Sequence, residues 1–232
     1  MKFIVMHKVD AKMESGAPPS MDIVENMGKL VGGSMREGVF VDGAGLHRSA
    51  KRVRLRYRGG EREATRGPYA GENETVAGLA MVKAKSIEDA MLIADRFAKV
   101  LGDGEIEIGP VVAPWDIGVM PEPAEKPTPT FLLLRKGDTP PPAALLDLQK
   151  ELSDEGVLAS AALLGPMSRA SRLPPKSPST KRAWLDGPFA ESKELIAGYS
   201  ILELPSKEDA LAWADRYAAI LEDCEVDVRE LV

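Results

Sequence analysis

The chain repeats itself. Displaced by 120 positions, residues 66–112 lie on residues 186–232 without a gap, and seventeen positions between Gly67 and Glu105 are identical to their counterparts. Upstream the register drifts while the order holds. Phe3-Ile4-Val5-Met6-His7-Lys8 answers Phe131-Leu132-Leu133-Leu134-Arg135-Lys136, and Glu37-Gly38-Val39 answers Glu155-Gly156-Val157. Insertions between such anchors belong in loops, and two copies are too few for a solenoid, so the pattern is that of a duplicated domain. The copies span residues 1–112 and 130–232. Between them, residues 113–129 carry Pro114, Pro121, Pro123, Pro127 and Pro129. Proline favours an extended backbone of about 3.1 Å per residue, so this linker is expected to carry the chain across one domain and set the copies side by side.

Within a copy the patterning is explicit. A short apolar run (3–6; 131–134) reads as a buried strand, followed by a helix near 20–36 or 142–155 that Gly156 ends in the second copy. Val39 and Val157 begin a second strand. Arg52-Val53-Arg54-Leu55-Arg56-Tyr57-Arg58 alternates strictly, with the apolar residues on one face and the arginines on the other. Gly59-Gly60 then turns the chain back antiparallel. Strands follow at 76–84 and 195–204. Ser86 and Ser206, three residues before Asp89 and Asp209, start a capped helix with an alanine-rich stripe. The strand Glu225-Val226-Asp227-Val228 closes the second copy. Strand, helix, several strands, helix, strand is the split βαβ order of ferredoxin-like domains, with both helices on one face of an antiparallel sheet. The bare sheet face needs a cover, and the other copy supplies one. The expected fold is therefore α+β, two tandem ferredoxin-like domains.

The second copy carries Asp186-Gly187-Pro188-Phe189-Ala190-Glu191-Ser192-Lys193-Glu194, followed by Gly198-Tyr199. Here the sequence resembles the YCII-related family, in the branch named for its Asp-Gly-Pro-Phe motif. The resemblance implies a dimeric α/β barrel of two units packed sheet to sheet, which one tandem chain can build alone as a pseudo-dimer or two chains as a homodimer. It also implies an association with extracytoplasmic-function sigma factors, and for some members small-molecule chemistry using a His/Asp pair. The first copy departs from the motif: Arg66-Gly67-Pro68-Tyr69 replaces the acid by a base.

The candidate site residues each carry two readings. Asp186 is a candidate acid/base or ligand-binding carboxylate, or the side-chain cap of a Gly-Pro turn. Glu191 and Tyr199 are candidate ligand contacts. Glu191 with Glu194 equally forms a solvated edge, and Tyr199 equally packs in the core. The only histidines, His7 and His47, lie in the copy that lacks the motif aspartate. Either could meet Asp186 across a pseudo-dimer interface, where a carboxylate would fix its tautomer for acid/base work. The arginine face of Arg52, Arg54 and Arg56 suits an anion, although a solvated face paired with Glu61 and Glu63 across the hairpin is the simpler expectation.

Composition narrows the classes. A single cysteine precludes an internal disulfide and a cysteine zinc cage, and no His/Asp/Glu spacing suggests a metal. No cofactor is expected. Net charge of −6 and 5% aromatic content argue against direct nucleic-acid binding. No apolar run suits a membrane span and no signal core is evident, so a cytoplasmic location is expected. The residues point to a non-catalytic module that binds a small ligand or regulates a partner. The alternative is a cofactor-free enzyme on a small polar or anionic metabolite, with Asp186 as acid/base.

Overall fold

The alternating and helical patterns settle into elements that are almost all where the sequence places them. A computed structural model describes residues 1–72, 74–177, 182–189, 195–221 and 224–232. The first half gives β1 (Lys2–Lys8), α1 (Ala11–Ser15), α2 (Met21–Arg36), β2 (Phe40–Gly45), β3 (Val53–Arg58), β4 (Glu61–Arg66), β5 (Val76–Lys83), α3 (Ile87–Leu101) and β6 (Gly104–Pro110). The second gives β7 (Thr130–Lys136), α4 (Ala144–Asp154), β8 (Leu158–Leu163), β9 (Ser171–Leu173), β10 (Leu185–Asp186), β11 (Ile196–Glu203), α5 (Lys207–Ile220) and β12 (Val226–Glu230). Ser86 and Ser206 cap α3 and α5 by accepting the N–H of Asp89 and Asp209. Gly59 and Gly60 take positive φ in the β3–β4 hairpin, the backbone such a two-residue turn requires.

Among the described residues the strands form two antiparallel six-stranded sheets, ordered β4-β3-β6-β7-β5-β8 and β10-β9-β12-β1-β11-β2. Each strand in one order is the sequence counterpart of the strand in the same place in the other. The sheets do not follow the sequence halves, however. The first two strands of each half are exchanged: β7 and β8 join β3–β6, while β1 and β2 join β9–β12. One sheet with its helices therefore comes from the continuous stretch β3–β8, residues 53–163, here the central unit. The other, the terminal unit, is assembled from both ends of the chain. In each, the four-strand order β6-β7-β5-β8 or β12-β1-β11-β2, with two helices packed together (α3 on α4, α5 on α2), is compatible with a ferredoxin-like unit.

This exchange corrects the expected work of the proline-rich segment. It joins β6 to β7, which are antiparallel neighbours with Pro110 opposite Phe131, and Val111 N–H donates to the Thr130 carbonyl at 2.9 Å. No domain is crossed. The segment is an excursion between adjacent strands, and its length reflects no span it has to cover. At the equivalent place in the terminal unit Phe3 lies opposite Glu230, and Leu231 N–H donates to the Lys2 carbonyl at 2.9 Å.

Three apolar cores follow from this arrangement. Val53, Leu55, Ala90, Ala94, Phe97 and Leu152 fill the helix–sheet space of the central unit. Phe3, Val5, Leu202, Trp213, Ala214 and Tyr217 do so in the terminal unit. Between the sheets lie Ile4, Met6, Leu79, Leu132, Leu134 and Ile201. At about 1.5–3 kcal/mol for each large apolar side chain buried, the inter-sheet core makes the two units mutually dependent. Isolated bridges Leu46–Val111 and Leu164–Leu231 link the sheets at matching corners.

Candidate functional site

The Gly-Pro turns are built by close approach. Both Gly67-Pro68 and Gly187-Pro188 are cis. Gly67 N–H donates to the Arg52 carbonyl at 3.0 Å and Gly187 N–H to the Ala170 carbonyl at 2.8 Å. A Cβ on Gly67 would lie 1.8 Å from the Ser49 carbonyl oxygen, and one on Gly187 2.2 Å from that of Met167. Only glycine fits there. The preceding residue ties the turn to the start of a helix in both units with opposite charges. Arg66 donates to Glu88 at 2.7 Å; Asp186 accepts from Ser171 Oγ at 2.8 Å and from Lys207 at 3.2 Å. Those two partners hold the Asp186 carboxyl below the usual aspartate range, the Ser171 hydrogen bond foremost. Asp186 is exposed, and with Arg169, Lys207, Arg229 and Glu230 it lines an open pocket of about 380 Å³.

The aromatic residue of each motif supports an arginine: Arg54 lies over the Tyr69 ring and Arg172 over Phe189, each at 4.4 Å. Around these arginines stand two matching ionic groups. In the central unit Arg54 meets Glu74 at 2.6 Å and Glu105 at 3.1 Å, while Glu107 receives Arg52 at 3.0 Å and Lys136 at 3.0 Å. In the terminal unit Arg172 meets Glu225 at 3.2 Å and Asp227 at 2.7 Å, and Lys8 reaches Asp227 at 3.2 Å. Burial alone would raise Glu107, but Lys136 and Arg52 outweigh it and hold its carboxyl at about 2. Asp227 is likewise lowered, its burial overcome by Lys8 and Arg172.

The arginine face is thus corrected. Arg52 and Arg54 are buried and only Arg56 and Arg58 are exposed. The ion pairs that hold them run to Glu74, Glu105 and Glu107, not to Glu61 and Glu63. Alternation in β3 shows two faces but does not show that the polar face is turned toward the second sheet. Three bases against three acids leave no net charge to hold an anion. The signal that could have revealed the pairing was the matching alternation of Glu105-Ile106-Glu107-Ile108 in β6, the strand paired with β3.

The structure does not bring the histidines to Asp186. His7 on β1 has Nδ1 2.6 Å from the Tyr217 hydroxyl, and burial pushes its pKa down to about 4. His47 has Nε2 3.2 Å from Asp116 in the proline-rich segment and is also lowered, by burial first and then by Lys51. Tyr199 belongs to the inter-sheet core, its hydroxyl donating to Asp42 at 3.0 Å; Ser160 donates to the same carboxylate at 2.8 Å. Asp42 and Ser160 were not legible as a pair because they lie on β2 and β8, 118 residues apart in sequence. Glu191 lies outside the described residues.

A larger open space lies elsewhere. A cleft of about 610 Å³ forms where α1 and the end of β1 face the tail of the Arg66-Gly67-Pro68-Tyr69 turn, lined by Lys8, Asp10, Glu14, Tyr69, Cys224 and Glu225 among others. Asp10 caps α1, accepting Met13 N–H at 2.7 Å, and Glu14 accepts from Ser49. Both carboxylates are thus held by uncharged donors. The Tyr69 hydroxyl is buried without a hydrogen-bond partner, and burial, then Glu107, raises its pKa. No group of His, Cys, Asp and Glu suited to a metal occurs among the described residues, and no helix there is long and apolar enough to cross a membrane.

With the motif turn, the capped α5 and the closing β12 in place, comparison with known families is decisive for the second half. A YCII-related domain spans residues 127–231. The YCII-related domain takes in β7–β12, α4 and α5, and so contributes strands to both sheets. No curated protein and no solved structure matches the chain.

Proposed function

We propose that this chain is a self-contained pseudo-dimer, a duplicated YCII-related domain closed by strand exchange, that works as a non-catalytic module binding a small polar ligand. The observation that carries this reading is the separation of the candidate acid/base groups. Asp186, His7 and His47 are each held by a different structural partner, and none of them lines the larger cleft beside α1. Among the described residues Asp10 and Glu14 have no cation paired with them, so the cleft favours a ligand with a positively charged group. Regulatory coupling to a sigma factor, as the motif resemblance implies, fits a module that senses such a ligand.

Asp10→Asn tests the reading, because asparagine caps a helix as well as aspartate does and removes only the charge. Binding of small amines and of equally sized carboxylates is measured by calorimetry on parent and variant. The parent is expected to take amines and refuse carboxylates, and the variant to lose roughly tenfold in amine affinity. Turnover of a metabolite that disappears in Asp186→Asn would overturn the proposal in favour of an enzyme.

A further inference from the structure

The two units differ in what covers their outer helices. In α4 Leu145, Leu148 and Leu152 are buried, and the outward face carries Asp147, Lys150, Glu151 and Asp154, of which Glu151 pairs with Arg96 of α3. α2, at the same place in the terminal unit, is the longer helix, yet Ser34 is its only buried residue. Beside its core face of Ile23, Met27 and Leu30 runs a second apolar stripe, Met21, Val24, Gly28, Val31 and Met35. Alternate steps of three and four residues keep these five on one flank of the helix. Met21 and Met35 are 58% and 60% exposed, and Gly28 is exposed with open space where a Cβ would stand. In α4 the stripe is broken, because Gln149 and Ser153 stand at the places of Val31 and Met35.

The stripe matches a copy of itself. Read from either end it is Met, Val, Gly, Val, Met, so a second α2 running the opposite way presents the same residues, as a two-fold contact requires. The charges beside it invert where the apolar residues repeat: Asp22 and Glu25 precede Gly28, while Lys29 and Arg36 follow it. All four are exposed, and Glu25 meets Lys29 only at 3.9 Å within the helix. An antiparallel pair sets each acidic half on a basic half, whereas an in-register parallel pair sets like charges together. Gly28 at the centre has no side chain, so two helix backbones can approach closely there. Exposed methionines at both ends supply adaptable apolar contact.

We propose that α2 is a dimerisation surface: two copies of the chain associate through their α2 helices, antiparallel and crossing at Gly28. The contact uses the helix layer and leaves the inter-sheet core undisturbed. No residue of α2 lines the cleft beside α1, so the contact stands or falls independently of the ligand proposed there. One helix pair is a small interface, which sets the expected Kd at roughly 1–100 μM.

Sedimentation velocity of the full chain from about 1 to about 300 μM tests it, with the mass expected to rise from monomer to dimer across that range. Gly28→Gln puts a side chain at the crossing, where the single chain has open space. It should raise the dissociation constant roughly tenfold or more while leaving the urea midpoint at or above that of the parent, since glutamine is the better helix former. Asp22→Lys/Glu25→Lys makes one wholly basic helix, and Lys29→Glu/Arg36→Glu one wholly acidic helix. Each should stay monomeric alone, and an equimolar mixture of the two should recover the dimer. A parent that stays monomeric throughout, a dimer that survives Gly28→Gln, or a mixture that associates no better than either variant alone overturns the proposal.

Discussion

The central and terminal units share strand order, the serine caps of α3 and α5 and cis Gly-Pro turns, yet each solves the same contact with different residues. Arg52, one residue before β3, lies beside Gly109 on β6; the corresponding positions in the terminal unit are Ala170 and Arg229. In both units a guanidinium crosses to the opposite sheet and meets the equivalent carbonyl, Ile196 for Arg52 and Val76 for Arg229. The large and small residues have changed places across one strand pair. What persists between the units is therefore the position of a charge and the path of the backbone, and the residue that supplies the charge is free to move.

The sharpest way to break the comparison is at the feature that has not moved. Gly67→Ala and Gly187→Ala each push a methyl group into a backbone carbonyl, which has no side-chain freedom to yield. Each is expected to cost about 2–4 kcal/mol, Gly67 the more because its approach is closer, as measured by urea unfolding. Gly59→Ala, at positive φ but with open space around it, should cost only about 1 kcal/mol. Equal costs at Gly59 and Gly67 would refute the close-approach argument.

Next in size is the relocated arginine. Arg52→Ala leaves the Ile196 carbonyl and one oxygen of Glu107 without their donor in a buried place, an expected loss of about 3 kcal/mol. Adding Gly109→Arg supplies the guanidinium from the neighbouring strand, as Arg229 does in the terminal unit. The double variant should be more stable than Arg52→Ala, with a favourable coupling of about 1 kcal/mol or more in the double-mutant cycle. Simple additivity would show that the two units only look alike here.

His7 separates the units by pH. Its folded pKa of about 4 lies below the ordinary 6.5, so between these values the unfolded chain binds a proton that the folded chain refuses. Stability should thus fall as pH drops from about 6.5 to about 4, by about 2 kcal/mol, since the ring keeps some contact with solvent. Below that window the loss passes to the carboxylates Asp227 and Glu107, whose lowered pKa values make their contribution disappear only in stronger acid. His7→Gln should flatten the upper part of the curve, and an unchanged slope would remove His7 as its source.

These residues show what could be read in advance. The elements were legible because the signals are local: alternation for β3, a serine cap for α3 and α5, two glycines for a hairpin. The exchange of β1 and β2 for β7 and β8 was not, because Phe3–Met6 and Phe131–Leu134 are apolar runs of the same length and neither names its neighbour. The linker misled for a related reason, since its length permits a crossing without requiring one. At the candidate site the arginines were visible and their burial was not, because a polar face gives no sign of what covers it. Asp10, Glu14 and Tyr69 escaped notice as a cleft because they come together only through the fold.

The smallest expected effect concerns the motif acid. Asp186 is exposed and its counterpart is Arg66, so the turn does not depend on the sign of the charge. Asp186→Asn keeps an oxygen to accept from Ser171 Oγ and gives up only the ion pair to Lys207, a contact that water screens. Arg66→Gln makes the same change in the central unit by releasing Glu88. Neither is expected to shift the urea midpoint measurably, whereas the glycine one residue later should shift it strongly. If Asp186→Asn instead destabilises as much as Gly187→Ala, the carboxylate itself holds the turn, and the two units differ in mechanism as well as in charge.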